Sequence, residues 1–380
     1  MNDDGLRQQA SDPAENPFVP GQGLIPPCLA GRESEQSLIQ NHLDRLARKR
    51  PLGTNLILYG PRGNGKTALL AWAVGQAQKR GIRAIRLSAS QSSAKEALLD
   101  ELALLPTWLR AFLGRFGGAS AMGASVQLRD PINGALDSLL TRRARWGSVL
   151  LALDESHMID KVFGRDLLEI VQARQGEGLP VIVLFAGTPD LPRHLNAIQA
   201  SLWDRSEKLP IGRLDPEASA DAIRVPLEAY HRSIATDALE TAVRESQGYP
   251  YFLQLWGRAF WDGCPDPTAP ISLADVDRVR ARFLRERNLL YLNRYQELDD
   301  ADLLPVAAGV AAAFAASDRA SPTRVSQALQ ACLDGEGLAS DGQAIKRVRR
   351  HLCDLGYLWL VDRESTPRYE PGIPSLMRYL

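Results

Sequence analysis

The sequence predicts an α/β fold in which a parallel β-sheet carries helices on both faces. Short apolar runs at residues 56–59, 83–88, 148–153, 181–186 and 208–214 alternate with helical patterns, as in a buried parallel sheet. Gly60, Asp154 and Thr188 lie just past the ends of three of these runs. Because ligands bind beyond the carboxyl ends of parallel strands, these three places predict one ligand site at a single edge of the sheet.

Composition limits the kind of protein this can be. At 380 residues the chain is long enough for two or three domains. Its 45 Lys and Arg residues balance 45 Asp and Glu residues, so any nucleic-acid surface must be local. The 4 cysteines form no C-x-x-C pair, which predicts unpaired thiols in a reducing cytosol. A polar start and the lack of a long apolar run predict a cytoplasmic protein without secretory signal or membrane span.

A glycine-rich loop between a strand pattern and a helix pattern carries the strongest chemical signal. Residues 60–67 read GPRGNGKT, which is G-x-x-x-x-G-K-S/T in the strand–loop–helix context of a P-loop NTPase. Lys66 can reach the β- and γ-phosphates, and the Thr67 hydroxyl can bind Mg²⁺. The predicted nucleotide-binding residues are Gly60, Pro61, Arg62, Gly63, Asn64, Gly65, Lys66, Thr67 and Ala68.

Two carboxylates follow the apolar run at residues 148–153. We expect Asp154 to bind Mg²⁺ together with Thr67, and Glu155 to orient and polarise the attacking water. An acidic turn after a core strand is the structural alternative. Residues 154–157 also spell the D-E-x-H of some helicases, but no other helicase motif accompanies them.

Further motifs resemble the AAA+ ATPases of the origin-initiator and STAND kind. Gly31-Arg32-Glu33 precedes a helix ahead of the P-loop, where the resemblance implies a segment, including Arg32, that closes over the adenine. It also implies a catalytic sensor at Thr188, where asparagine is commoner, and places Pro250 of Gly-Tyr-Pro near the nucleotide. The Gly-Tyr-Pro sequence replaces the sensor arginine that many of these proteins carry there.

The same resemblance implies an arginine finger that enters a neighbouring subunit's site and takes part in catalysis. Arg205 is the expected finger, with Arg193 and Arg213 as alternatives.

The C-terminal residues resemble a winged helix, with helices at 303–314, 323–333 and 342–355 and strands at 357–361 and 368–370. The third helix is basic, which suits contacts with phosphates and base edges. Its expected DNA-binding residues are Lys346, Arg347, Arg349 and Arg350. Since winged helices also bind proteins, a protein contact is the alternative for the same face.

These patterns divide the chain into a disordered tail (1–24), a P-loop ATPase core (25–214), a helical lid (215–265), a linker helix (266–299) and a winged-helix domain (300–380). Helices at 93–105 and 106–116 and a loop at 114–124 are expected within the core. The predicted function is a Mg²⁺-dependent ATPase switch that binds duplex DNA and assembles into homo-oligomers with ATP. The alternatives are an oligomerising signalling switch and a target-selecting ATPase of a mobile element.

Overall fold

The computed structural model describes residues 16–21, 23–50, 53–89, 98, 131–199, 204–264, 266, 268–361 and 367–379. Five described strands form a parallel sheet: β1 Asn55–Tyr59, β2 Arg83–Ser88, β3 Val149–Asp154, β4 Val181–Gly187 and β5 Ser206–Pro210. Their order is β2-β3-β4-β1-β5, with every pairing parallel. The carboxyl ends of β1, β3 and β4 therefore meet at one edge, as the predicted α/β fold requires.

The last strand of the sheet differs from the prediction of residues 208–214. Strand β5 pairs with β1 from Asn55↔Ser206 to Tyr59↔Pro210 and ends there. Ile211 follows it, and its side chain is fully buried in the apolar core on one face of the sheet. Its amide still donates to the Tyr59 carbonyl at 2.8 Å, and its own carbonyl oxygen would lie 2.2 Å from a Cβ at Gly60. The apolar side chain at 211 therefore belongs to the core just past the end of β5.

Helices cover both faces of this sheet. They are α1 Glu33–Ala47, α2 Lys66–Lys79, α3 Pro131–Trp146, α4 Lys161–Gly176 and α5 Leu191–Ile198. Helices α1 and α2 bury their apolar side chains against one face, and α3, α4 and α5 cover the other. Apart from Leu98, the helices predicted at 93–105 and 106–116 and the loop at 114–124 lie outside the described residues.

A helical domain follows, made of α6 Pro216–Glu228, α7 Thr236–Ser246, α8 Pro250–Gly263 and α9 Leu273–Asp300. The interpretation of α9 as a linker needs correction, because Val276, Val279 and Phe283 are buried in the core of this domain. The Phe283 ring stacks on Trp256 of α8 at a centroid distance of 4.4 Å. Helix α9 is thus a wall of the lid that continues towards the C-terminal domain.

The predicted disordered tail is also too long. Within residues 1–24, the segments 16–21 and 23–24 are described, and Phe18 is 1% exposed in the core of the helical domain. Asn16 donates a hydrogen bond from Nδ2 to Asp262 Oδ1 at 2.8 Å. This packing could not be predicted, because a single aromatic residue among Pro, Asn and Gly has no periodicity.

The C-terminal domain contains α10 Leu304–Ala311, α11 Pro322–Gly335, α12 Gly342–Asp354, strands β6 Leu358–Val361 and β7 Arg368–Pro371, and α13 Leu376–Tyr379. Strands β6 and β7 pair antiparallel, so the described elements follow the order predicted for a winged helix. The domain packs on the sheet, where Trp359 meets Tyr59 edge-on at 5.9 Å between ring centroids. Across the described chain, no helix combines the length and apolar character that crossing a membrane requires.

Gly257 of α8 supplies a test of the docking of the N-terminal segment. A Cβ at Gly257 would lie 2.2 Å from two Phe18 ring carbons, whereas one at Gly75 of α2 meets nothing within 4 Å. We expect Gly257→Ala to destabilise the helical domain by about 1–3 kcal/mol through overpacking. Gly75→Ala, the matched control, should stabilise by about 0.5–1 kcal/mol because glycine disfavours a helix interior. The free energy of unfolding of each variant is measured by urea unfolding, followed by tryptophan fluorescence. Equal changes in the two variants would contradict the packing of Phe18 against Gly257.

Candidate nucleotide-binding site

The P-loop links β1 to α2 and is shaped by two glycines with left-handed backbones. Gly63 has φ 78°, and Gly65 has φ 85° at the N-cap of α2. These conformations turn the loop around the first amides of α2, where a helix N-terminus favours anions. Asn64 between them is 1% exposed, and neither its side-chain oxygen nor its nitrogen has a hydrogen-bond partner in the described structure. Those buried polar atoms favour a polar ligand at this loop.

Lys66 lies in the bottom of the loop. Its Nζ donates hydrogen bonds to the carbonyl oxygens of Gly60 at 2.8 Å and Pro61 at 2.7 Å. Burial lowers the pKa of Lys66 to about 8, although the Glu155 and Asp154 carboxylates act to raise it. The ammonium is therefore still charged at neutral pH, and it is held where phosphate oxygens enter a P-loop.

Thr67 and Asp154 bring a hydroxyl and a carboxylate together beside the P-loop. The Thr67 hydroxyl donates to Asp154 Oδ1 at 3.3 Å, and Arg86 Nη2 lies 3.4 Å from Asp154 Oδ2. Two hard oxygen donors at this spacing suit a Mg²⁺ ion, which takes few protein ligands and completes its shell with water and phosphate oxygens. Arg86 of β2 is a partner that the sequence analysis missed.

Glu155 follows β3 with a left-handed backbone, φ 50° and ψ 36°. Its side chain is 45% exposed and its Oε2 lies 3.5 Å from His157 Nε2. The Thr188 amide donates to His157 Nδ1 at 3.5 Å, so Nδ1 is the acceptor and Nε2 carries the proton facing Glu155. Burial lowers the pKa of His157, which favours the neutral ring. The D-E-x-H spacing was the available signal for His157, but the sequence analysis assigned it no role.

Thr188 lies at the carboxyl end of β4, near Glu155 and Lys66. It is 4% exposed, and its hydroxyl donates a short hydrogen bond to Asp190 Oδ1. The sensor role predicted for Thr188 therefore has a side chain at the right edge of the sheet, oriented by an acidic neighbour.

The helical domain contacts the P-loop through Tyr249. The Tyr249 hydroxyl donates to the Arg62 carbonyl at 3.0 Å, and burial raises the pKa of Tyr249. The same ring sits so close to the loop that a Cβ at Gly63 would lie 2.0 Å from its hydroxyl oxygen. Pro250, the next residue, begins α8.

Arg32 holds the loop from the other side. Its Nη2 donates to the carbonyl oxygens of Asn64 at 3.2 Å and Gly212 at 2.5 Å. The guanidinium is thus committed to backbone carbonyls, and it ties the P-loop to the segment after β5. This contact positions the P-loop, and the adenine contact implied for the segment around Arg32 stays a prediction.

These elements enclose a cavity of about 350 Å³, within the usual size of small-molecule sites. The N-terminal segment forms part of its wall, because Val19, Pro20, Leu24 and Leu29 line it. The predicted residues that also line it are Arg32, Arg62, Gly63, Asn64, Gly65, Lys66, Thr67, Ala68, Asp154, Glu155, Thr188 and Pro250.

Comparison with known protein families matches most of the predicted ATPase core to one family. Residues 29–184 match the AAA ATPase domain family. The match covers the P-loop and strands β1 to β3, so this part of the chain is similar to AAA ATPase domains. No curated protein sequence matches the chain.

Solved structures share the fold over almost the whole chain. The Walker-type ATPase of Pyrococcus abyssi aligns with a TM-score of 0.60 at 17% identity, covering 92% of this chain and 95% of that one. The ADP form of the Aeropyrum pernix ORC2 protein gives 0.52 at 17% identity, over 98% and 96%. The Aeropyrum pernix ORC1 protein in complex with DNA gives 0.50 at 16% identity, over 95% and 93%. At these identities the likeness shows the fold.

The arginines considered as fingers lie in different places on the α/β core, which is the part of the chain made of β1–β5 and α1–α5. Arg205 is exposed just before β5, at the opposite end of the strands from the P-loop, so it cannot serve its own site. Arg213 is bound to the C-terminal domain, with Nη2 donating to the Pro371 carbonyl at 2.8 Å and Nη1 3.4 Å from Asp318. Arg193 pairs with Asp354 at 2.6 Å. Arg193 and Arg205 are both exposed, but Arg193 already has a carboxylate partner in the C-terminal domain.

The predicted DNA-binding residues of α12 do not form one open face. Lys346, Arg347 and Arg350 are exposed, but Arg349 is half-buried and donates to Ser326 Oγ at 3.0 Å. Lys346, Arg349 and Arg350 line a cleft of about 920 Å³ between α12 and the α/β core. Arg32, Lys208 and Arg213 line the cleft from the core. The carboxylates of Asp215, Asp318 and Glu370 also line it, and Arg213 pairs with the last two, so basic residues outnumber acidic ones in the cleft without filling it.

Proposed function

We propose that this chain binds ATP with Mg²⁺, hydrolyses it to ADP and phosphate, and passes its nucleotide state to the helical and C-terminal domains. The observation that carries the proposal is the meeting of Lys66, Thr67, Asp154 and Glu155 in one cavity under the P-loop. These residues lie at the carboxyl ends of β1 and β3, which are far apart in sequence and are separated in the sheet by β4 alone. Together they provide a phosphate cradle, a hard-cation donor pair and a carboxylate for water.

Each side chain has a distinct task in this reaction. Lys66 and the amides of α2 neutralise the phosphates, while Thr67 and Asp154 hold the metal, which supplies charge neutralisation at the phosphoryl group. Glu155 orients and polarises the attacking water, and the neutral His157 beside it fixes the direction of the carboxylate. Thr188, at the carboxyl end of β4, is the sensor residue next to the reacting phosphate.

We place Arg205 in trans, as a finger for the site of a second copy. Its exposure and its distance from its own P-loop along β5 support this role. An arginine that stabilises transition-state charge from a neighbour makes hydrolysis depend on assembly. The proposed active form is therefore a homo-oligomer.

We further propose that α12 contacts duplex DNA, mainly through phosphates. Three observations support it: the exposed Lys346, Arg347 and Arg350, the basic cleft beside them, and the fold shared with a protein solved in complex with DNA. Because basic residues outnumber acidic ones in the lining of the cleft, its net charge suits a polyanion.

A second candidate function is a signalling switch whose C-terminal domain contacts protein. The contacts between this domain and the site favour it: a Cβ at Gly372 would lie 3.5 Å from Pro61 Cβ, and Asp354 pairs with Arg193. In this case α12 docks on the core and leaves it only when nucleotide changes. Absence of measurable duplex binding at low salt would favour this function.

Substitutions at Lys66 and Glu155 separate binding from hydrolysis. Lys66→Ala removes the cation facing the phosphates, so nucleotide affinity and turnover should both fall. Glu155→Gln keeps the metal ligands and loses water activation, so it should bind ATP while turnover falls by about 100-fold or more. Equilibrium ATP binding and phosphate release, measured on the same preparations, check both. Wild-type turnover in Glu155→Gln would contradict the role of Glu155.

Salt dependence tests the DNA interface. With about three or four phosphate contacts, log K against log salt should have a slope near −3 to −4 for duplex DNA. Replacing Arg347 and Arg350 together by alanine should reduce that slope by about 2 and weaken binding to all sequences, while basal ATP hydrolysis survives. The control replaces Arg45 and Arg48, exposed arginines at the end of α1. Gel-shift titrations at two salt concentrations measure the affinity of each variant for duplex DNA. An equal loss of affinity in the Arg45/Arg48 control and in the Arg347/Arg350 variant would contradict a contact at α12.

A further inference from the structure

One arginine of the nucleotide cavity comes from a helix to which the sequence analysis assigned no site residue. Arg294, near the end of α9, lines the cavity together with Arg62, Gly63 and Tyr249. Its side chain is 16% exposed. Its Nη1 donates to Glu297 Oε1 at 2.6 Å and, in a shorter bond, to Oε2. Its Nε is buried, and no described residue accepts a hydrogen bond from it.

Arg294 lies at the phosphate end of the cavity. Its charge acts on Tyr249, whose hydroxyl is bonded to the Arg62 carbonyl in the P-loop. Its partner Glu297 lies 3.9 Å from Arg62 Nη1. The charge of Arg62 in turn acts on Lys66 and His157, which mark the place of the reacting phosphates. Arg294 is therefore near the Arg62–Gly63 half of the loop.

The ion pair between Arg294 and Glu297 is weak because Glu297 is exposed to water. Glu297 is 48% exposed, so water screens its attraction for the guanidinium. Phosphate oxygens offer a planar guanidinium two parallel acceptors and carry more charge than a carboxylate. They can also satisfy the buried Nε, which Glu297 leaves unbonded.

Glu297 has a further partner in the C-terminal domain. The Tyr357 hydroxyl donates to the Arg294 carbonyl at 2.9 Å and lies 3.3 Å from Glu297 Oε2. Burial raises the pKa of Tyr357, which keeps the hydroxyl as a donor. Tyr357 immediately precedes β6. A movement of the Glu297 carboxylate therefore acts on the β6–β7 hairpin through the Tyr357 side chain.

We propose that Arg294 binds the phosphates of the bound nucleotide in exchange for Glu297, and that the released Glu297 carboxylate strengthens its bond with Tyr357. The proposal rests on the proposed function, namely that this cavity binds a nucleoside triphosphate. It assigns α9 a phosphate-binding residue. It also connects the bound nucleotide to the C-terminal domain through the contacts of Arg294, Glu297 and Tyr357.

The test compares affinities for a non-hydrolysable ATP analogue and for adenosine in the full chain. Arg294→Ala should weaken analogue binding by about tenfold to a hundredfold, the usual effect of losing a charged hydrogen bond, and leave adenosine binding unchanged. Arg294→Lys should fall between, because it keeps the charge and loses the planar pair of donors. Glu297→Gln removes the competitor and should tighten analogue binding by about twofold.

Arg287 provides the matched control on the same helix. Its Nε is also buried without a described partner, and its guanidinium lies over the Phe283 and Tyr291 rings away from the cavity. Arg287→Ala should leave the ratio of the two affinities unchanged. Equal losses for both ligands in Arg294→Ala, or weaker analogue binding in Glu297→Gln, would overturn the exchange.

Lys66→Ala separates this proposal from the function on which it rests. Wild-type analogue affinity in Arg294→Ala together with lost affinity in Lys66→Ala would refute the role of Arg294 and keep the nucleotide site. Unchanged affinity in Lys66→Ala would instead refute the nucleotide site itself.

Discussion

The hydrogen bond from Tyr249 to the Arg62 carbonyl fixes the relation between the helical domain and the P-loop. It is possible only because Gly63 has no side chain, since a Cβ would overlap the tyrosine hydroxyl. On the opposite side Arg32 holds the Asn64 carbonyl. The P-loop is thus held on both sides of Gly63 by side chains far away in sequence, and its shape does not depend on local turn preferences alone.

This arrangement makes the P-loop a contact shared by three parts of the chain. The helical domain reaches it through Tyr249, helix α9 through the Glu297–Arg62 approach of 3.9 Å, and the C-terminal hairpin through Gly372 beside Pro61. Phosphates that bind the loop therefore act on groups whose other ends lie in two further domains. The physical basis of a nucleotide switch is this convergence of contacts on one loop.

Much of this organisation could be predicted from the sequence, and the limits have physical causes. The P-loop and the carboxylates after β3 are local patterns whose spacing follows from their chemistry, and the structure brings them to one cavity. Phe18, Arg294 and the true end of β5 depend on packing between distant segments, which leaves no period in the sequence. The basic residues of α12 were predicted from composition, but the cleft that three of them line depends on how two domains meet.

Hydrogen exchange of the C-terminal hairpin tests the central claim most directly. If the P-loop links the three domains, a non-hydrolysable ATP analogue should change amide protection in residues 356–361 and 368–372, although these residues lie outside the AAA ATPase domain match. Lys66→Ala, with the same hairpin and an impaired phosphate cradle, should show no change. Identical hairpin exchange with and without the analogue, at concentrations that saturate the wild-type site, would contradict the account.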